Sequence, residues 1–346
     1  GCSSTPKPEP IVRDLPLDSE LQVFGQTPEP LLNVSITVFD VAAFDRGSLH
    51  DSASQVRSLE ARFVPFILKR TLDRTAAWGA VRVLPRSDAS AELSVTGKVL
   101  HSDGIELKVW ITAVDATGRV WIDQLYQDVA NDTDYAQDPV YTQDPFQDLY
   151  NRIANDLSRS QFNLPQDARR VILDTAFVQY ANLLSPESFG SMLQEQEGRI
   201  VLVGLPAEAD PLFQRVQRIR DSEYLFADGV DAHYESLFAQ LGQTYAWWRY
   251  YSYELIVGNE RLSEKDAKRG ATEGSWYAME RIYKTYKESK MNEDALRELT
   301  DSFDRETAPT VGEISGRLYE LTGTLDYQYG EWRRILREVY RTETGT

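Results

Sequence analysis

The side chains best suited to acid, base or nucleophilic chemistry are few and scattered in this sequence. Its three histidines are His50, His101 and His233, and none has a second histidine three or four residues away. The sequence has no phosphate-binding loop, no dinucleotide-binding glycine pattern and no Gly-x-Ser-x-Gly elbow around a nucleophilic serine. We therefore expect a non-enzymatic protein with no catalytic residue and no cofactor. A glycan-cleaving enzyme stays open as an alternative, because a catalytic pair of carboxylates has no fixed sequence spacing.

Acidic residues gather in one stretch that could in principle hold a cation. They are Asp128, Asp132, Asp134 and Asp138. Calcium is bound by several carboxylates, but this stretch lacks the Asp-x-Asp-x-Asp-Gly turn and the distal glutamate of a helix-loop-helix site. We therefore predict no metal site here and expect solvated turns in which aspartate side chains cap the backbone.

The only cysteine, Cys2, precedes a Ser- and Pro-rich stretch over residues 3–10. Such a composition is typical of linkers. Gly1-Cys2 resembles the start of mature bacterial lipoproteins, in which a small residue precedes the cysteine that receives the lipid. The resemblance implies that Cys2 is the lipid attachment site. In that family the next residue sorts the protein, and Ser3 favours the outer membrane, with the body facing the periplasm. We predict a lipid-anchored flexible tether over residues 1–30.

The composition agrees with a folded body behind such a tether. The chain has 346 residues, of which 42% are hydrophobic, and no apolar run approaches the roughly 20 residues that cross a bilayer. We therefore expect membrane attachment through Cys2 alone. The formal net charge of −17 argues against a nucleic-acid partner, because phosphate backbones require basic surfaces.

Residues 31–162 have the periodicities of a small α/β domain. Alternating apolar residues predict a strand over 32–39, and apolar residues at helical spacing predict a helix over 52–72 that Pro65 kinks or restarts. Three alternating runs then follow within residues 93–126, separated by Asp103-Gly104 and Thr117-Gly118. Since Asp-Gly and Thr-Gly supply the positive backbone angles of tight hairpins, these runs predict an antiparallel meander.

Two short segments of this region carry a family resemblance. They are 91–99, with Glu92 where the relatives have Asp, and 115–121. Residues 32–160 resemble the small α/β domain at the amino terminus of TolB and of curli-secretion-type envelope lipoproteins. The resemblance implies a periplasmic scaffold that binds other envelope proteins or assembles into rings.

Residues 163–346 show mainly helical spacing, and we predict an all-α domain there. Apolar residues indicate a helix that ends near Ser185 and another that begins at Asp210-Pro211, with a break around 227–229. A brief apolar run over 200–203 is the one predicted extended piece. A final helix is predicted from about Val311 to Arg341. The fold class predicted for the whole chain is α+β, with a sandwich-type α/β domain followed by a helical domain.

The most aromatic segment spans residues 245–256 within this second half. An aromatic cluster with an arginine can form a sugar-stacking or peptide-binding surface, whereas the same residues at helical spacing also pack a helical core. A helix packed on one side hides only about half of its circumference. Some of four residues should therefore stay partly exposed, and these four are the candidate binding surface: Trp248, Arg249, Tyr250 and Tyr253.

Together these observations favour an outer-membrane lipoprotein that acts as a scaffold or adaptor in cell-envelope assembly through contacts with other proteins. Two alternatives stay open. One is a protein that binds or cleaves peptidoglycan or another glycan, for which the aromatic segment would supply the surface. The other is a ring component of a secretion or motility apparatus, which rests on the family resemblance alone.

Replacement of the single cysteine tests the anchor. In bacterial cells, Cys2→Ser should move the protein from the membrane fraction to the periplasmic fraction, because one lipidated residue is the only predicted membrane contact. Cell fractionation measures this change, and Ser4→Ala should stay with the membrane. Mass spectrometry that found an unmodified Cys2 in the native protein would contradict the prediction.

Overall fold

The computed structural model describes residues 18–24, 29–41, 51–87, 91–131, 134–135, 143–205, 207, 210–269, 294 and 308–345. Side chains are described from residue 59 onward in the first helix and for part of the segment 241–269. Cys2 and most of the predicted tether lie outside these ranges. Within them the chain is α+β, as predicted, with a mixed sheet followed by a largely helical region.

A single sheet organises the first half of the chain. Its strands and the helix that joins two of them are β1 (Val34–Thr37), β2 (Asp40–Val41), α1 (Asp51–Thr75), β3 (Val81–Leu84), β4 (Leu93–Ser102), β5 (Glu106–Asp115) and β6 (Val120–Val129). The strand order is β3-β1-β4-β5-β6, with the short β2 also paired to β4. β1 runs parallel to both of its neighbours, and β4, β5 and β6 form the predicted antiparallel meander.

One face of this sheet is covered by α1 and by α2 (Gln147–Phe162). The alternating apolar residues of the strands and the apolar stripes of both helices form a common buried cluster. α1 continues through Pro65 rather than restarting there, which corrects one of the two predicted possibilities. The helices and strands of this half thus pack as the sequence periodicity requires.

The segment 18–24, predicted to belong to a flexible tether, is bound along α2. Asn155 donates from its side-chain amide to the Glu20 carbonyl at 2.8 Å and accepts from the Gln22 amide at 2.8 Å. Phe24 stacks on Phe162 with ring centroids 5.6 Å apart. These contacts hold the segment against α2, where its backbone groups bond to the protein. The prediction of a flexible segment is therefore corrected for these residues.

The second half contains helices and two hairpins. They are α3 (Gln166–Leu184), α4 (Pro186–Phe189), β7 (Leu193–Gln196), β8 (Arg199–Leu202), α5 (Pro211–Arg269), β9 (Thr310–Ile314), β10 (Arg317–Leu321) and α6 (Leu325–Thr344). β7 pairs with β8 and β9 with β10, each antiparallel. The prediction of an all-α region is corrected accordingly.

The hairpin β9-β10 replaces the first third of the helix predicted over Val311–Arg341. Ser315 and Gly316 adopt positive φ angles of 52° and 73°, which turn the chain where a helix would continue. Burial alternates along β9 with a period of two. The ring of Trp332 packs on Gly312, where an added Cβ would lie 2.6 Å from the ring. The apolar residues of this segment fit both the spacing of a strand and the spacing of a helix. The turn at Ser315 and Gly316 makes the segment a hairpin.

The helix α5 is continuous for 59 residues, so the predicted break around 227–229 does not occur. Gly229 instead lets α5 approach β9, because a Cβ there would lie 3.0 Å from the Thr310 methyl group. Ala227 is also buried, at 2% exposure. The small residues that indicated a break in the sequence thus serve close packing.

Residues on both sides of position 162 share buried clusters. Phe66 of α1 and Val83 and Leu84 of β3 pack with apolar residues of α3, α5 and α6. Tyr253 of α5 packs in the cluster beneath the sheet. The helical region therefore uses the first half of the chain as part of its core.

The two turn glycines of the meander have different roles. Gly118 has the expected positive φ of 77°, but Gly104 does not adopt a left-handed conformation. A Cβ at Gly104 would lie 2.2 Å from the Tyr253 backbone nitrogen and 2.7 Å from the Arg249 carbonyl oxygen. Gly104 is therefore required by the close approach of α5 to the β4-β5 turn.

Two Gly-to-Ala changes should have opposite effects on stability, because only one of them meets the contact at Gly104. Gly104→Ala should lower the free energy of unfolding by about 3 kcal/mol, because backbone atoms must move to admit the methyl group. Gly242→Ala should raise it by about 0.5–1 kcal/mol, because this helical glycine has no atom closer than 3.9 Å to an added Cβ. Chemical denaturation measures both values. Equal effects would contradict the close approach at Gly104.

Candidate functional site

A cavity of about 740 Å³ lies between α1 and α5, beside the loop that precedes α2. We call it the α1–α5 cavity. α1 lines it with residues between 63 and 74, and α5 with residues between 235 and 249. The loop before α2 contributes residues 143–145, and Gln147 lines it from the start of α2. Its volume lies in the range of pockets that hold small organic ligands. The three segments come from both halves of the chain, so the cavity exists only when α5 is packed on α1.

One wall of the cavity is aromatic. Phe238 of α5 packs between Phe63 and Phe66 of α1, with ring centroids 5.0 and 4.8 Å apart. Phe63 and Phe66 are 2% exposed, and Phe238 is partly buried. The two α1 residues are three apart and so share one face of that helix, which places both rings against α5. The wall is therefore apolar and fixed by its own packing.

A buried arginine, Arg249, is among the residues that line the cavity. Its side chain is 1% exposed and that of Glu60, on α1, is 0% exposed. Arg249 Nε donates to the Tyr245 hydroxyl at 2.6 Å, and that hydroxyl donates to Glu60 Oε1 at 2.9 Å. The Ser102 hydroxyl also donates to Glu60 Oε1. A chain of hydrogen bonds thus holds the guanidinium group in one position.

Among the residues that the structure describes, none has a protein group that hydrogen-bonds the outer nitrogens of Arg249. Nη2 lies 3.7 Å from Glu60 Oε1, and Nη1 lies 4.0 Å from Asp144 Oδ1, which are ion-pair distances beyond hydrogen-bond reach. Glu60 Oε2 and the Tyr150 hydroxyl are also buried without a hydrogen-bond partner among protein groups. Buried donors and acceptors are normally paired, and this cluster contains four of the buried side-chain atoms that lack such a bond in the described part of the chain.

Arg249 and two tyrosines beside it, Tyr245 and Tyr150, keep fixed protonation states. Burial raises the pKa of Tyr245 and that of Tyr150 well above their ordinary value, so both hydroxyls stay neutral. Burial alone would lower the pKa of Arg249, but Tyr245, Asp144 and Glu60 together raise it well above its ordinary value. Arg249 is therefore a permanent cation, and the two tyrosines are hydrogen-bonding groups rather than bases.

The four residues of the candidate binding surface do not form one exposed set. Arg249 and Tyr253 are buried, at 1% and 6% exposure, so they are not among the members that stay exposed. Tyr253 stacks on Tyr135 with ring centroids 4.5 Å apart. Trp248 and Tyr250 are half-buried: Trp248 stacks on Tyr245, and Tyr250 lies 6.1 Å from the Tyr135 ring. α5 is covered on more than one side here, which the assumption of one-sided packing did not allow.

Among these four residues, only Arg249 lines the α1–α5 cavity. Its partner Glu60 was not predicted as a site residue. One indication in the sequence that Glu60 is buried is its position beside the apolar residues Leu59 and Phe63 of α1. Carboxylates are rarely buried without a partner, so such a residue points to a distant cation.

Two further searches of the described part of the chain gave negative results. No group of three or more His, Cys, Asp or Glu side chains within it is placed to hold a metal ion. Likewise, none of the helices described here is both long and apolar enough to span a lipid bilayer.

Comparison with protein-family models found no match for this chain, and comparison with curated proteins found none either. Among solved structures, protein XCC0632 from Xanthomonas campestris, of the family model DUF330, aligns with 43% of this chain and 93% of its own length at 9% identity. The TM-score of that alignment is 0.23, which does not establish a common fold.

The buried pair predicts a large effect of removing one charge. Glu60→Gln should lower the free energy of unfolding by about 3–5 kcal/mol, because it leaves the guanidinium group of Arg249 buried without its nearest counter-ion. Asp73→Asn is the control on the same helix. The Asp73 side chain is 47% exposed and pairs with Lys69, so its replacement should lower the free energy of unfolding by less than about 0.5 kcal/mol. Urea denaturation compares the two. Similar losses would show that Glu60 and Arg249 do not depend on each other.

Proposed function

We propose that this chain is an outer-membrane lipoprotein, attached through Cys2 and facing the periplasm, that acts as an adaptor between proteins of the cell envelope. The body behind the tether holds a segment of a partner protein in the α1–α5 cavity. The proposal combines the tether predicted from the sequence with one structural observation, which is the buried guanidinium group of Arg249 beneath an aromatic wall.

Arg249 supports binding because its position and charge are both fixed. Holding an arginine in place with Glu60 and Tyr245 removes its rotational freedom before any ligand arrives, which lowers the entropic cost of association. Arginine and aromatic side chains that a partner covers also often dominate the binding energy of protein interfaces. The cavity thus has the composition of a preformed recognition site.

The same groups are poorly suited to acid-base chemistry. A general acid or base works best when its pKa lies near the ambient pH. The pKa values of Tyr245, Tyr150 and Arg249 are all raised away from that range. Proton transfer by these three groups is therefore unfavourable, and this supports a binding role for the cavity.

A photocrosslinking amino acid on α5 tests the proposal in living cells. Gln243 and Gln240 are both exposed on α5, but only Gln243 lines the cavity. A photoreactive residue at position 243 should form an adduct with one envelope protein, and the same residue at position 240 should not. Mass spectrometry identifies the adduct, and binding of that protein after purification must reproduce it.

Failure of the proposal would be equally visible. No protein adduct at position 243, or equal adducts at both positions, would show that the cavity does not hold a partner. An adduct with peptidoglycan fragments at position 243 would instead support the glycan-binding alternative.

A further inference from the structure

The face of the sheet that points away from α1 and α2 carries an exposed tryptophan, Trp110 of β5. We infer that this face binds the pyranose rings of a neutral glycan, with one ring packed on the Trp110 indole and its hydroxyl groups bonded to Asp123 and Lys98. These three residues are not among those that line the α1–α5 cavity. The inference therefore goes beyond the proposed adaptor function and does not depend on it.

Alternation along the strands brings the side chains of this site to one face. The buried residues of β5 alternate with Trp110 and Thr112, which therefore point away from the helices. In the sheet register Trp110 lies opposite Lys98 of β4 on one side and opposite Leu125 of β6 on the other. Thr112 lies opposite Asp123 of β6. Three strands thus place an aromatic ring, a carboxylate and an ammonium group side by side.

The indole of Trp110 is held in place and is still accessible. Its Nε1–H donates to Asp123 Oδ1 at 2.8 Å, and the Thr112 hydroxyl donates to the same oxygen at 3.0 Å. Since Asp123 belongs to the neighbouring strand, the first bond directs the ring along the sheet surface. Trp110 is nevertheless 40% exposed. A tryptophan whose own polar group is already bonded offers an apolar surface to a ligand.

Polar atoms with free hydrogen-bonding capacity lie on both sides of the ring. Both donors to Asp123 use Oδ1, so Oδ2 accepts no hydrogen bond from the described residues. On the β4 side, Lys98 forms no ion pair within the described part of the chain. Asp123 and Lys98 are both exposed, so a ligand reaches them without any rearrangement of the protein.

A pyranose ring matches this arrangement of groups. One face of such a ring presents C–H groups, which lose no hydrogen bond when they pack on an indole. Its hydroxyl groups both donate and accept, so they can bond to the carboxylate of Asp123 at one edge and to the ammonium group of Lys98 at the other. Because the two charges that flank the ring are opposite, the site favours a neutral sugar over an acidic or a basic one.

The position of the site in the sheet disfavours a peptide. Extended peptides add to the edge of a sheet, and helical or proline-rich peptides occupy grooves. Trp110 lies on β5, which is paired on one side with β4 and on the other with β6. A ligand on the open face of this strand therefore meets side chains and no free backbone groups.

Leu125 extends the apolar surface beside the ring. It lies opposite Trp110 on β6 and is 44% exposed. The two residues form a short apolar strip across two strands, with Trp110 as its one aromatic ring. One stacking ring predicts weak binding, with a dissociation constant on the order of 0.1–1 mM.

Soluble oligosaccharides test the class of ligand on the full-length protein. The probes are the hexamers of glucose and of N-acetylglucosamine, which are neutral, and the hexamer of galacturonic acid, which is anionic. In titration calorimetry at least one neutral hexamer should bind, and about tenfold or more tightly than the anionic one. Addition of the dipeptide N-acetyl-phenylalanyl-leucinamide should not displace the bound sugar in saturation-transfer NMR.

Two exposed aromatic residues provide matched variants for the location. Trp110→Ala should weaken binding of the neutral hexamer by about tenfold or more, because the stacking surface is lost. Tyr327, on α6, is 59% exposed, and Tyr327→Ala should leave binding unchanged. Asp123→Ala should also weaken binding, because it removes both the acceptor for the sugar and the bond that positions the indole. Circular dichroism and thermal unfolding confirm that the three variants fold.

Several results would overturn the inference. They are no binding of either neutral hexamer, equal or tighter binding of the anionic hexamer, displacement of the sugar by the dipeptide, or equal effects of Trp110→Ala and Tyr327→Ala. Crosslinking at position 243 tests the α1–α5 cavity separately, so failure of the glycan site and failure of the adaptor function are distinguishable.

Discussion

Two buried arginines fix α5 to the sheet half of the chain, and the rest of the structure depends on these contacts. Arg220 lies 3.6 Å from Glu92, and Arg249 lies 3.7 Å from Glu60, with every one of these side chains at most 8% exposed. The two arginines are 29 positions apart, close to eight turns, so they project from the same face of α5 about 44 Å apart. Burial of a carboxylate without its cation is costly. Glu60 and Glu92 therefore require α5 in place, and the two halves stabilise each other.

The α1–α5 cavity is a consequence of this attachment. Near one end, Asp231 of α5 accepts from the Val83 amide at 2.8 Å and pairs with Lys69 of α1 at 3.3 Å. At the other end, Arg249 meets Glu60. The lining residues of α5 all fall between these two contacts. Since both ends are held, the walls keep their separation without a ligand, and a bound segment need not organise them.

The sequence predicts the local elements well because they follow from short periodicities. The alternation in β4, β5 and β6 specifies the meander, and helical spacing specifies α1 and α3. A single sequence contains almost no indication of which distant residues are in contact. The sequence did not show which of the four candidate surface residues would be buried, because periodicity describes one helix and its nearest face. The contacts of Arg249 with Glu60 and of α5 with Gly104 come from the other half of the chain. The hairpin β9-β10 was missed for a related reason, since its apolar residues fit both periods and only the conformation at Ser315-Gly316 separates them.

The bound segment 18–24 also limits how far the body can stand from a membrane. If Cys2 carries the proposed lipid, only the roughly 16 residues from Cys2 to Asp18 are available as a spacer, because Ser19, Glu20 and Gln22 are hydrogen-bonded to α2. A fully extended chain of that length spans at most about 55 Å. The α1–α5 cavity is linked to the same region, because Gln147, which lines it, donates to Asn151, and Asn151 donates to the Ser19 carbonyl. The cavity therefore lies beside the part of the body that the proposed tether would join.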